Sequence, residues 1–491
     1  MKQALVAALA LVLMPTVKSS AQAERPNDFG TQWVRSHPLT LMAPTIRGEA
    51  VKDNDWISEG GFNTVFAWKH RLPIYEAAIR QGIPYHCHVN KVRVTPGGIH
   101  ADEWSKLANI IEIYSGAAGV LVYDEPKLPA FFGAGKAVAE IKRRFPDALV
   151  YSNANPISPL KAHGYSSPDR AGAKYLGDGI YDDTPVPYTY DDFLDDFARI
   201  IKPDVLMADV YPFWVPEKLD PKWYLKNKYF LMLAALRKAG LKHRIPYWIW
   251  VQAYESRGRC RYPSESDVRM QVYSSLAFGF TGIAYFTYDW GHDEDRSLLD
   301  HEFKRTRLYH DVTKLNSEVS HLGKTLRFLT STDIRYVLAE GVKGPGSLLL
   351  APKGLSPFYY KSRVAELLNE ITIQDPVQGQ DGLIGFFRDD HGGQYFMIVN
   401  LRHGEDVTAD QAGMVLTLQF APSVTKVARL SRKTGVPKEI LVPKNGRIQI
   451  TLPGGTGDLF KFGDATFVGL GNPDSSGRSA SISDRPMARE K

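Results

Sequence analysis

The stretch Gly119-Val120-Leu121-Val122-Tyr123-Asp124-Glu125-Pro126 sets the pattern for much of the chain. Five apolar or aromatic residues run into two carboxylates and a proline. A short apolar run of this kind, closed by polar residues and Pro, suits a strand buried on both faces of a parallel sheet. Working outward, seven more such runs occur: Leu39–Ile46, Phe62–Trp68, Ile83–Val89, Ala148–Ser152, Val205–Tyr211, Tyr247–Gln252 and Gly282–Tyr288. Helical stretches sit between most of them, clearest at Pro73–Gln81, Asp102–Tyr114, Gly133–Arg144, Tyr190–Ile201, Tyr224–Ala239 and Glu265–Phe278. Alternating strands and helices predict a parallel sheet, and eight repeats over about 250 residues predict a closed (β/α)8 barrel, a TIM barrel in the α/β class. An open doubly wound sheet is disfavoured, because no glycine-rich phosphate turn follows the first strand.

The chain has 491 residues, which predicts more than one domain. The barrel is assigned to residues 24–326, with Asp311–Leu326 as its last helix. Beyond it, short runs such as Leu383–Phe387, Gln394–Val399, Met414–Phe420 and Arg447–Leu452 alternate with Gly, Pro, Asp and Asn. That pattern predicts a C-terminal antiparallel β-sandwich over 327–465, followed by a disordered tail over 466–491. At the other end, Lys2, the apolar run Ala4 to Met14 and Ala21-Gln22-Ala23 match a signal peptide over 1–23. The expectation is an exported protein, periplasmic or secreted. No segment has the roughly 18 uninterrupted apolar residues of a membrane span.

The net charge of +6 is spread along the chain without a dense basic block, which argues against a nucleic-acid partner. Aromatics make up 11% of residues. This suits a site that stacks on sugar faces and equally an aromatic core. Cys87 and Cys260 are the two cysteines, too few for a disulfide scaffold or a cysteine zinc site. Export permits them to pair, and free buried thiols are the alternative.

In a barrel of this kind the active site lies at the C-terminal strand ends. Those ends carry Asp124 and Glu125, then Asn153 and Asn155, then Asp209, Tyr211 and Trp214, then Gln252 and Glu255, and finally Tyr288, Asp289 and Trp290. Carboxylates, amides and aromatics converging on one mouth fit an oligo- or polysaccharide substrate and need no cofactor. Glu125 is the leading general acid, since burial and the neighbouring Asp124 both raise a carboxyl pKa. Glu255, Asp209 and Asp289 are the candidates for a second carboxylate. Asp124, Asn153, Asn155 and His88 are placed as hydrogen-bonding residues, and Tyr211, Trp214, Tyr288 and Trp290 as stacking platforms. His86 and His88 point the same way from one strand. A metal would need more ligands than this pair supplies, so no metal site is expected.

These strand ends also carry a family likeness. Asp124-Glu125-Pro126 resembles the acid/base position of the large clan of retaining glycoside hydrolases with (β/α)8 barrels. The stretch from Trp248 to Trp290 resembles the last two strands of the beta-galactosidases of glycoside hydrolase family 42. The corresponding pieces are Pro263, Ser266-Asp267-Val268-Arg269 (with Ser266 where the family has Glu), Ala277-Phe278-Gly279 and Ile283-Ala284-Tyr285-Phe286, and Leu452-Pro453-Gly454-Gly455 resembles the clan's C-terminal β domains. The resemblance implies a glycoside hydrolase, as an uncharacterised relative rather than a member of family 42. It also implies a nucleophilic Glu where this chain has Gln252, an amide that cannot serve. Gln252 is therefore read as a substrate-binding residue whose loss weakens sugar affinity. The alternative function is a carbohydrate-binding barrel that has lost its nucleophile. A metal-dependent hydrolase is the third possibility.

Overall fold

The computed structural model describes residues 28–47, 55–68, 72–89, 94–95, 98–99, 105, 117–156, 174–177, 180–182, 189–217, 219–289, 296–339, 350–358, 366–376 and 381–471. The signal peptide expected over residues 1–23 and Trp290 lie outside the described residues, as does most of the helix expected at Asp102–Tyr114.

Eight parallel strands close into a barrel: β1 (Thr40–Thr45), β2 (Thr64–Ala67), β3 (Tyr85–His88), β4 (Ala117–Asp124), β5 (Leu149–Ala154), β6 (Leu206–Val210), β7 (Tyr247–Gln252) and β8 (Gly282–Phe286). Each pairs with its neighbour in sequence, and β1 pairs with β8 to close the ring. All eight fall on the apolar runs. Side chains alternate between two environments because the strand period is two. On β7, Trp248 and Trp250 fill the barrel interior with Met42, Phe66, Leu121, Tyr151 and Met207. Ile249 and Val251 face the surrounding helices instead. The helix Phe29–Ser36 closes the N-terminal end, where Trp33 packs 5.9 Å from Trp248. The barrel is a packed core, and in this fold sites are carried at the C-terminal strand ends.

The C-terminal half is a sandwich. A seven-stranded sheet faces a three-stranded one made of Leu368–Ile373, Met414–Phe420 and Arg447–Leu452. Ile384, Phe386, Phe396 and Ile398 of the larger sheet meet Leu416 and Leu418 in the sandwich core. Their neighbours Leu383, Phe387, Met397 and Val399 point the other way and join the barrel's core. Between them lies the helix Glu265–Phe278, buried along nearly its whole length. At Gly385 the approach is so close that a Cβ would sit 1.9 Å from the Ala277 carbonyl oxygen. Arg269 on this helix pairs with Glu318 at 2.8 Å, Tyr273 donates to Glu318 at 2.6 Å, and Arg432 of the sandwich reaches Glu318 at 3.5 Å. The two domains thus share one apolar core and one buried ionic cluster.

The ordered chain runs past the expected domain end. Phe467 is buried, its ring 5.7 Å from Tyr395, so 466–471 belong to the fold. Cys87 and Cys260 are both buried and free. Cys87 faces the outer side of β3 while Cys260 lies in the loop after β7.

Candidate active site

The site begins with a register slip. Along β4 and β5, Gly119 pairs with Leu149 and Leu121 with Tyr151, but the next pair is Asp124 with Asn153. One extra residue has been inserted, a β-bulge. It places Asp124 where regular alternation would place Tyr123. Glu125 follows with φ 50°, and its N–H donates to the Asn153 carbonyl at 3.0 Å. A non-glycine residue held in the left-handed region marks a place where the surroundings dictate the backbone. Bulge and turn together bring two consecutive carboxylates to the mouth.

Asn153 ties this corner to β6. Its Nδ2 donates to Asp124 at 3.1 Å and to Asp209 at 2.9 Å. Asp209 is 8% exposed and its carboxyl hydrogen-bonds that of Glu125. Three carboxyl groups, two from the end of β4 and one from β6, therefore meet across β5. Burial pushes the Asp209 carboxyl well above the usual carboxylate range, and the charges of Glu125 and Asp124 add to it. Glu125 is raised as well, first by desolvation of its carboxyl and then by Asp124. The hydrogen bond to Asp209 and the positive charge of Arg259 pull it partly back. Glu125 as a residue is exposed at the rim while its carboxyl group turns in among the walls, so exposure and desolvation coexist. Asp124 is raised by burial and lowered by Asn153. Carboxyls crowded in this way cannot all ionise near neutral pH, and the cluster retains a proton.

Beside the carboxyls stands an aromatic wall. Tyr211 stacks on Phe286 at 5.6 Å and meets Tyr254 edge-on at 5.5 Å. Burial and then Asp209 push the Tyr211 hydroxyl well up, which keeps it a neutral donor. Trp250 lies 6.1 Å from Phe286, and Trp68 lies 6.2 Å from Phe286 and 4.5 Å from His88. His88 is buried in this wall. Sequence reasoning overlooked Trp68, Tyr254, Phe286 and Arg259. Trp68 and Phe286 close their runs at inward-facing positions, and that parity was the available signal.

Several expected site residues serve elsewhere. Gln252 is fully buried, and its side chain is spent on loop backbone. Oε1 accepts from Phe213 N–H at 3.0 Å, while Nε2 donates to the carbonyls of Arg261 at 2.9 Å and Tyr254 at 3.1 Å. It braces the β6 and β7 loops, which corrects its reading as a sugar ligand. Glu255 forms a two-pronged ion pair with Arg296, at 2.9 and 3.0 Å, and lines a separate cavity of about 710 Å³ with Tyr262, Asp300, Arg307 and Asp406. Asp289 is fully buried and accepts from the N–H groups of Ile46 and Arg47, at 2.5 and 3.2 Å, capping the end of β1. Tyr288 is also fully buried and packs outward, 5.8 Å from Phe62 and 6.4 Å from Tyr309. Trp214 is 6% exposed under Arg259 and beside Tyr224. Tyr288 and Trp214 are core residues here, not open platforms. Asn155 follows β5, and its carbonyl accepts from Tyr190 at 3.1 Å.

His86, two residues before His88, binds the Tyr151 hydroxyl at 2.9 Å inside the barrel. Among the described residues no group of three or more His, Cys, Asp or Glu side chains is set to hold a metal ion.

No protein-family model and no curated protein matches the chain. Solved structures do. A putative alpha-galactosidase from Bacteroides fragilis is 7% identical with a TM-score of 0.46, covering 87% of this chain and 80% of its own. Alpha-galactosidase I from Mortierella vinacea is 10% identical with a TM-score of 0.42, over 88% of this chain and 98% of its own. A GH128 endo-beta-1,3-glucanase from Sorangium cellulosum is 16% identical with a TM-score of 0.35, over 55% of this chain and 97% of its own. These structural neighbours are glycoside hydrolases. At such scores and identities they carry no argument about this chain's reaction, and the barrel assignment rests on its own eight paired strands.

Proposed function

We propose that the chain is a glycoside hydrolase with Glu125 as general acid/base and Asp209 as the second carboxylate. The observation that carries this reading is the hydrogen-bonded Glu125–Asp209 pair at the C-terminal mouth, flanked by the Tyr211–Phe286–Tyr254 wall. Of the other carboxylates considered, Glu255 is held by Arg296 and Asp289 by backbone donors. Asp209 lies deeper and keeps the shared proton at rest. Passing it across the hydrogen bond arms Glu125 to protonate the departing glycosidic oxygen while the ionised Asp209 attacks the anomeric carbon, so the glycosidic bond breaks as a glycosyl–Asp209 ester forms. In the second step Glu125, now ionised, takes a proton from the water that attacks the anomeric carbon, the glycosyl–Asp209 bond breaks, and Glu125 and Asp209 return to their starting forms. Neighbouring carboxyls stand nearer to the roughly 5–5.5 Å spacing of a retaining pair than to the roughly 6.5–9.5 Å of an inverting one, which supports retention of configuration. The likeness of 248–290 to family 42 agrees with a retaining mechanism. The sequence pattern of 1–23 supports action outside the cytoplasm.

The test is release of reducing ends from a polysaccharide panel. Glu125→Gln is expected to lower turnover by at least ~100-fold. Hydrolysis at the parental rate in that variant overturns the assignment. A second reading, a sugar-binding barrel without turnover, draws on Gln252 standing where the resembled family has its nucleophile. Binding to the same panel with no product would select it.

A further inference from the structure

The mouth holds more acceptors than donors. Asp124, Glu125 and Asp209 supply six carboxyl oxygens within one hydrogen-bonded cluster. A further acceptor, Asn153 Oδ1, is buried and has no hydrogen-bond partner, on a residue only 4% exposed. The amide donors at the same spot are already used. Both Asn153 Nδ2 bonds go to Asp124 and Asp209, and the Glu125 N–H goes to the Asn153 carbonyl. Among the described residues none of the three carboxyls forms an ion pair. Arg259, the cation whose charge reaches Glu125, lies over the Trp214 ring at 5.2 Å. Among the described residues the remaining titratable neighbours are the hydroxyls of Tyr190, Tyr211, Tyr224 and Tyr254, all raised, neutral and unable to balance a negative charge. Buried charge without a partner is costly, and a ligand that completes the pairing gains what the fold has left unmet.

Resting on the hydrolase reading above, we infer that the sugar unit bound at Asp124, Asn153 and Asp209 carries a free amino group, making the substrate a de-N-acetylated hexosamine glycan. An ammonium offers three donors and one positive charge, which matches an excess of acceptors bearing negative charge. A neutral hydroxyl supplies one donor and relieves no charge. An N-acetylated nitrogen supplies one N–H, has no charge, and brings a carbonyl that would face the carboxylates. The half-buried Asp124 takes the ammonium from the open side, while Asp209 and Glu125 keep the proton needed for cleavage.

The experiment is isothermal titration of the full chain with glucosamine and galactosamine oligomers, their N-acetylated forms and glucose oligomers of equal length. Amino oligomers are expected to bind about tenfold more tightly or better than either counterpart, with the preference shrinking as ionic strength rises. Their binding heat is also expected to depend on the buffer's ionisation enthalpy, because the arriving cation favours the ionised form of Asp124, whose carboxyl burial holds up, and so displaces proton from it. Asp124→Asn, checked for folding by circular dichroism, loses most of that preference. Equal or tighter binding of the N-acetylated or glucose oligomers, or no binding of the amino oligomers, overturns the inference. Glu125-dependent cleavage of a neutral glycan would sink this inference and leave the hydrolase reading standing. Selective binding of amino oligomers without cleavage would do the reverse.

Discussion

Replacing Asn153 by Ala removes the clamp between β4 and β6. Two charge-assisted hydrogen bonds are lost, at 3.1 and 2.9 Å, each contributing about 1.5–3 kcal/mol. The loss is partly offset, since the substitution also removes the unpartnered Oδ1, whose burial costs about 1–3 kcal/mol. Protonation of the released carboxyls softens the penalty further. The net expectation is a destabilisation of about 2–3 kcal/mol, visible as a lower urea midpoint at unchanged slope. The same substitution has a second, independent readout. Asn153 lowers the pKa of both Asp124 and Asp209, so its loss leaves those carboxyls protonated to higher pH. The acid limb of the kcat/KM profile should therefore move toward neutrality. An unmoved acid limb together with a midpoint equal to the parent would refute the clamp.

Other expectations follow from particular contacts. Burial holds His86 down to about 3, so its folded form stays neutral while the unfolded chain takes up a proton below about 6.5. Its contribution to stability is complete above that value and falls by about 1.4 kcal/mol per pH unit as pH drops toward 3. Replacing His86 by Leu should flatten the pH dependence of unfolding between 6 and 4 by ~2–3 kcal/mol, and an unchanged slope would count against the buried neutral ring. Glu318→Ala removes the carboxylate shared by Arg269, Tyr273 and Arg432, leaves Arg269 with Glu265 and Arg432 with Asp458, and should cost about 1.5–3 kcal/mol, whereas a melting temperature within a degree or so of the parent would show the shared carboxylate to be idle. Tyr288→Phe deletes a buried hydroxyl that has no partner, so stability should hold or rise by up to about 1 kcal/mol with kcat/KM intact. A drop in activity would return Tyr288 to the sugar site.

The barrel was legible because each strand is a short apolar run ending in polar residues, a pattern that survives without tertiary knowledge. Asp209 and Tyr211 stood out as the residues closing the sixth run, and both share the inward parity of Met207 on β6. What stayed hidden depends on geometry between runs. The bulge that swaps Asp124 for Tyr123 at the mouth is a pairing event with β5, and no local residue type announces it. Gln252 has inward parity, yet Phe213 and Arg261 claim its amide across two loops. Glu255 stood next to a strand end, but Arg296, 41 residues on, neutralises it. Phe467 was read as tail because the residues after it are polar, while its own ring had a place beside Tyr395.

The claim on which all of this depends is that Glu125 and Asp209 act as one unit. A double-mutant cycle on kcat/KM with Glu125→Gln and Asp209→Asn tests it directly. Each single change should cost at least ~100-fold, and the double variant should be no worse than the more severe single, as for residues that share one step. Multiplying losses, or an Asp209→Asn variant as active as the parent, would contradict the account.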